Sequence, residues 1–290
     1  MNLHTHNFNE KCTEMKTPKL FSLLILGAIM TTTACKKDKE DTTEVSDTAQ
    51  VKKICYMKKL IKANNSYNEY EYNANHLLTK AIEYDSLGSE VKKTELTYNY
   101  KKNVAKVEIF KNGSIFSKFI YTYNKDLKII KAEYWNTIYG VYKKTGYYEY
   151  VYTDDKLTSI IFKAELYGQA ITSSKSVITY KDDNAIKLVE YTYNYITASL
   201  EQSRVLDFEY DDKLNPSRGI GEDNIAVDVR FLSKNNVTKM TIANQNGVVD
   251  NVNSFNYTYE YNDNGYPLKV NFTSFNNANT GISNIEYDCI

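Results

Sequence analysis

Residues able to do covalent or metal chemistry are few in this 290-residue sequence, and their types narrow what it can do. His4, His6 and His76 are the only histidines. Once the N-terminal segment is set aside, a two-histidine metal site or a histidine-dependent triad would rest on His76 alone. No glycine-rich phosphate loop, G-x-S-x-G elbow or paired C-x-x-C occurs. Acids are plentiful, and a carboxylate pair for glycoside hydrolysis needs only closeness in space; that alternative stays open although no pair stands out. Asn/Asp clusters such as Asp154-Asp155 and Asn262-Asp263-Asn264 carry oxygens that suit Ca²⁺, but turn formation already accounts for them. No catalytic residue, metal ligand or cofactor is therefore assigned, and a non-enzymatic role is expected. Ligand-binding chemistry concentrates at Tyr134, Trp135, Tyr139 and Tyr142, with Tyr147 and Tyr148 beside them and the chain's one tryptophan among them. Exposed aromatics of this kind stack on sugar rings or anchor a protein partner. The alternative is that they cap an interior.

What positions them is a repeated phrase. It runs as Tyr70-Glu-Tyr72-Asn, Tyr98-Asn-Tyr100-Lys, Tyr121-Thr-Tyr123-Asn, Tyr150-Val-Tyr152-Thr, Ile178-Thr-Tyr180-Lys, Phe208-Glu-Tyr210-Asp, Tyr259-Glu-Tyr261-Asn and Ile285-Glu-Tyr287-Asp. A degenerate copy, Val229-Arg-Phe231-Leu, fills the one double-length gap, and the repeat recurs about every 27 residues. Aromatics two residues apart share one face of a strand. The Asn, Asp and Gly after each phrase supply a turn, and a Leu/Ile/Val-Lys run returns. The reading is an all-β chain of about 16–18 antiparallel strands, a meander curled or closed into a barrel. An open single sheet or a sandwich is the alternative. Three prolines in the whole chain agree, since proline interrupts ladders. Opposite the tyrosines stand Lys93, Glu95, Glu149, Glu209 and Glu260. That is the wrong outer face for lipid contact, so a water-soluble barrel with tyrosines inside is expected.

The N-terminal segment gives an address. Met15-Lys16-Thr17-Pro18-Lys19 is short and basic, Leu20 to Met30 is apolar, and Thr31-Thr32-Thr33-Ala34 leads into Cys35. That order is a secretory signal, with an apolar run too short to span a bilayer. The cysteine after the small residues resembles a bacterial lipobox, with Thr32 where Leu is the common choice. The resemblance implies cleavage before Cys35 and lipid on its sulfur and amine. Lys36-Lys37-Asp38-Lys39-Glu40-Asp41 resembles the export tag of Bacteroidota surface lipoproteins, which implies the outer membrane, lipid-anchored and exposed at the cell surface. The organisation expected is an upstream extension and signal over 1–34 with Met15 as the start, a flexible tether over 35–50, and one repeat-built β domain over 51–290. Lys and Arg number 36 against 36 Asp and Glu, and the arginines are only Arg204, Arg218 and Arg230. That balance excludes the basic face a nucleic-acid partner needs.

Cys55 and Cys289 lie in the first and last expected strands, neighbours if the sheet closes, and export favours a disulfide. Against it, Cys289 shares a face with Ile285 and Tyr287 while Cys55 is out of step with Ile54 and Tyr56. The phrase followed by Leu and Lys resembles a divergent YD-type (Rhs) repeat. With the lipobox, residues 54–290 resemble a family of Bacteroidota lipoproteins of unknown function with a porin-like fold. That resemblance implies a large antiparallel barrel and no activity. The function expected is binding of an extracellular ligand, a glycan or a protein partner. A structural envelope role without a small-molecule site and a carboxylate-dependent hydrolase are the alternatives.

Overall fold

The computed structural model describes residues 53–138, 140–166, 168–218 and 228–290. Cys35, the tether and Tyr139 lie outside them. The elements are β1 (Cys55–Ile61), β2 (Tyr67–Tyr72), β3 (Leu78–Tyr84), β4 (Glu90–Tyr98), β5 (Val104–Lys111), β6 (Ser114–Tyr123), β7 (Ile129–Ile138) and β8 (Val141–Thr153). They continue with β9 (Lys156–Leu166), β10 (Gln169–Lys181), β11 (Asn184–Asn194), β12 (Ser199–Leu214), the short helix α1 (Val229–Leu232), β13 (Asn235–Asn244), β14 (Phe255–Tyr261), β15 (Pro267–Ser274) and β16 (Thr280–Cys289). Each strand pairs antiparallel with its sequence neighbours, and β1 pairs with β16, so the sixteen strands form a closed barrel.

The phrase strands are the even-numbered ones, and each ends its pairing in the same way. Beside the last tyrosine of each strand, which is the second of the phrase except at Tyr98, where Tyr100 falls in the turn, the returning strand carries one extra residue. Glu71 faces Lys80 while Tyr72 faces Leu78, leaving Thr79 over; Thr97 faces Lys106 while Tyr98 faces Val104, leaving Ala105 over. The same bulge sits at Tyr123, Tyr152, Tyr180, Tyr210 and Tyr261. It also sits at the seam, where Glu286 faces Lys59 and Tyr287 faces Met57. A bulge leaves backbone groups outside the ladder, and a buried carbonyl without a donor is costly. The next phrase strand supplies the donor. Tyr72 Oη donates to Met57 O at 2.8 Å, Tyr98 to Leu78 O, Tyr123 to Val104 O, Tyr210 to Ala185 O and Tyr259 to Val237 O, each at 2.6 Å, and Tyr287 to Pro267 O at 2.9 Å.

Closure therefore repeats an internal hairpin. β16 ends in a phrase with no returning strand of its own, and β1 is a returning strand with no phrase before it. The disulfide between Cys55 and Cys289 lies across this seam. Ile54 and Ile290 exchange both backbone hydrogen bonds. The cysteines thus form the adjacent non-hydrogen-bonded pair, where side chains come closest, with Cα atoms 4.0 Å apart. The alternation expected from Ile54 and Tyr56 does not hold, because the buried residues of β1 are Cys55 and Met57.

The lumen holds two packed clusters. One is built on Leu78, Leu96, Val107, Phe119, Tyr121 and Tyr150, the other on Ile178, Leu188, Leu206, Phe208 and Val237. Outside, cross-strand ion pairs such as Lys80–Glu71, Lys163–Glu149, Lys239–Glu209 and Lys269–Glu260 cover the wall, and Lys93–Glu95 runs along β4. Each pair is worth little alone; together they make a hydrated exterior. The expected repeat copy at Val229-Arg-Phe231-Leu is α1 instead of a strand. Its neighbourhood is held by buried polar contacts: Ser233 Oγ accepts from Ala185 N at 3.1 Å and donates to Tyr210 Oη at 2.8 Å, and Asn184 and Asn235 bond each other at 3.0 Å.

Replacing both Cys55 and Cys289 by serine should lower the unfolding free energy by about 2–4 kcal/mol and leave the strand content intact. Urea melts of the two proteins, with and without reductant, read this directly.

Candidate functional site

The rim where the phrase strands end is built from Asx turns. Asn73 Oδ1 accepts from the backbone N–H groups of Asn75 and Leu77, Asn99 from Lys101 and Asn103, Asn124 from Asp126 and Lys128, and Asn262 from Asn264 and Tyr266. These turns put His76, Lys102 and Leu127 in the left-handed region, which a short polar side chain bonding its own backbone makes affordable. Adjacent turns are stitched at one repeat spacing. Lys102 Nζ donates to Asn75 Oδ1 at 3.0 Å, Lys128 pairs with Asp155, and Lys156 with Asp183 at 3.0 Å.

Inside this rim opens a cavity of about 740 Å³. Its wall is made by Tyr72, Tyr98, Tyr123 and Tyr152, with Tyr56 stacked on His76 at the edge, ring centroids 4.8 Å apart. Three of these hydroxyls are spent on bulge carbonyls, so the rings are locked as fixed surfaces. Lys102, Lys128, Arg218 and Lys234 also line the cavity, and no described Asp or Glu does. The Asn103 amide nitrogen is buried beside it without a hydrogen-bond partner. The carboxylates of the rim stand outside. Asp155 is held below the usual carboxylate range by Lys128, and Asp183 by Lys156 first, with Arg218 and Lys234 adding to it.

Of the residues singled out as a binding cluster, Trp135 and Tyr142 meet and Tyr134 is parted from them. Tyr134 pairs with Phe119 and faces inward, stacked on it at 4.7 Å and edge-on to Tyr148 and Phe162. Trp135 takes the opposite face, paired with Lys118 and Lys144. There Tyr142 stacks on it at 6.2 Å, and Lys118 Nζ sits 4.6 Å from the indole centroid. An interior cap is therefore not what Trp135 and Tyr142 form. Trp135 Nε1 and Tyr142 Oη are buried within this outer stack without hydrogen-bond partners, and burial raises the Tyr142 hydroxyl pKa, with Glu108 adding to the shift. The basic residues of the mouth come from separate turns. The Leu-Lys run after a phrase signals Lys128, and nothing in the sequence singles out Lys102, Arg218 or Lys234.

No protein-family model matches the chain, and no curated protein matches it. In fold it is similar to a porin-like protein from Bacteroides uniformis, with 14% identity, a TM-score of 0.52, and coverage of 79% of this chain and 96% of that one. It is similar also to a porin-like protein from Bacteroides vulgatus, with 12% identity, a TM-score of 0.52, and coverage of 81% and 99%. At such identities the likeness is one of fold: a porin-like antiparallel barrel.

Burial pushes the hydroxyls of Tyr123, Tyr148, Tyr180 and Tyr210 up from 10.0 to about 12. A tyrosine that keeps its proton longer in the fold than in the unfolded chain favours the fold fully below pH 10, and that contribution drains away as pH rises toward 12. Spectrophotometric titration should show a class of tyrosines ionising late, with stability falling across the same interval.

Proposed function

We propose that this chain is a lipid-anchored, non-enzymatic binding barrel of the outer membrane, displayed at the cell surface, and that it takes a glycan into its tyrosine-lined mouth. Cys35 is the lipid attachment point and residues 36–50 the tether. The Tyr-x-Tyr phrase is read as a divergent YD-type repeat used to close a ring. The observation that carries the binding reading is the cavity of about 740 Å³ walled by locked tyrosine rings. Such rings stack on sugar faces without paying rotamer entropy on binding. Four cations and no carboxylate among the described residues of the lining favour acidic sugars. The same lining supports a glycosidase poorly, since that chemistry needs two carboxylates flanking the ligand. A purely structural envelope role would call for a filled lumen, whereas this one keeps open chambers. The hydrated, ion-paired exterior supports a barrel standing in water at the end of its tether. A protein partner is the second reading, favoured by the unsatisfied Trp135–Tyr142 stack on the outer wall.

A glycan array probed with residues 49–290 should return acidic oligosaccharides. The Lys102→Glu, Arg218→Glu double variant should weaken those hits about tenfold or more, and Trp135→Ala should leave them unchanged. Hits lost only in Trp135→Ala would move the site to the outer stack. A blank array that leaves the barrel folded would turn the reading to a protein partner.

A further inference from the structure

A second chamber, of about 580 Å³, lies in the lumen along β1 and β13–β16. Its chemistry differs from that of the mouth. Leu60, Val237, Phe255, Tyr257, Val270 and Phe272 supply its large apolar and aromatic side chains, and Lys62 is the one charged side chain among the described residues of the lining. Asn215 and Pro216 line both cavities, so the segment after β12 is their common partition. The chamber is long. From Pro267 to Phe272 β15 advances roughly 17 Å, and the chamber reaches solvent at the exposed Ala63 and Asn64 of the β1–β2 turn. Lys62 stands at that open end, bonded to Glu83, which is not part of the lining.

The wall beside this chamber is also the least sealed in the barrel. β13 and β14 share only two paired positions, Lys239↔Asn256 and Met240↔Phe255. Neighbouring strand pairs share up to eight. Beyond the Lys239↔Asn256 pair the two strands are joined by side chains: Tyr259 Oη donates to Val237 O at 2.6 Å, and Asn236 Nδ2 lies 3.4 Å from Tyr261 Oη. Val237 and Tyr259, on either side of this short ladder, both line the chamber.

We infer that this chamber binds a long-chain acyl group, with its carboxylate at Lys62 and its chain running inward toward Pro216. An elongated, predominantly apolar slot whose one described charged side chain stands at its opening suits a chain with one polar head. Lys62 has donors beyond the one that Glu83 occupies, so it can meet a carboxylate at the opening. A free fatty acid and the acyl tail of a lipid share this chemistry, and a head-group test separates them. The inference stands apart from the glycan reading, because the described walls of the two chambers share only Asn215 and Pro216.

The test uses residues 49–290 and the fluorescent probe N-phenyl-1-naphthylamine, displaced by palmitate or by methyl palmitate. Palmitate should displace the probe. Lys62→Gln should weaken palmitate about tenfold and leave the methyl ester unchanged. Equal loss of both ligands in Lys62→Gln would overturn the head-group assignment and point to a neutral lipid tail. Val270→Trp and Leu60→Trp, each checked for native circular dichroism, should abolish probe uptake by filling the slot. Probe binding that survives in both folded filled variants, or no probe binding by the native chain, would overturn the inference. The Lys102→Glu, Arg218→Glu protein should bind palmitate normally, so failure at the mouth and failure here remain distinguishable.

Discussion

The interaction on which this structure depends is a tyrosine hydroxyl donated to a carbonyl that a β-bulge has thrown out of its ladder. Each bulge increases strand twist and bends the sheet, and each would cost about 1–3 kcal/mol if its carbonyl were left buried and unpaired. Printed along the chain once per hairpin, the pair curls the sheet and fixes its register. In most repeats one phrase tyrosine marks the bulge in its own hairpin and donates to the bulge of the previous one, as Tyr98 does for Leu78, and in β14 Tyr261 marks the bulge while Tyr259 donates. A hairpin capped in this way is complete only when the next phrase strand is in place. Where no such donation is made, at Tyr152 and Tyr180, the turn lysines Lys128 and Lys156 stand over the rings instead, at 5.3 and 5.6 Å.

Size then decides what the lumen can be. About eight strands give an interior that side chains fill, whereas sixteen to eighteen leave free space. Sixteen strands here reconcile the two by packing two apolar clusters against the wall and letting Asn215–Ser217 reach in as a partition. The leftover volume is divided into chambers of unlike chemistry. The mouth inherits its cations from the turn lysines that stitch the rim, and the slot inherits its apolar wall from the inward faces of β1 and β13–β16. Chamber volume is in this sense a by-product of strand number, and chamber chemistry a product of which rim each chamber meets.

Most of the fold was legible because the phrase states its period openly. Strand type, the antiparallel meander and a count near sixteen follow from Tyr-x-Tyr and the Asn/Asp turns. Three things were hidden, each for a physical reason. The bulge at Met57–Lys59 breaks strict alternation in β1, and the exposed Ile54 imitates an inward residue. Val229-Arg-Phe231-Leu has the spacing of a phrase, yet it falls in the long excursion between β12 and β13, where no strand waits to pair with it. Tyr134 and Trp135 are adjacent, and adjacency in a strand places them on opposite faces; crowding along the sequence concealed a split that the two-residue period already contained. The mouth could not be seen at all, because Lys102, Lys128, Arg218 and Lys234 converge only when the ring is shut.

Closure is the step that local information does least to secure. Fifteen of the sixteen strand pairings join consecutive strands, which is the inexpensive part of folding such a meander. The sixteenth joins residues 234 apart in sequence. Loop-closure entropy grows only with the logarithm of length, so the penalty for that distance is modest compared with what an open form would suffer. An open form would present two unpaired strand edges, each a template for another chain, and an exposed inner face of tyrosines. Giving β1 and β16 the bulged pairing of an ordinary hairpin makes the correct seam the one partner each edge fits in register. The cysteine pair then acts on a seam already specified, holding shut a ring that hydrogen bonds have chosen.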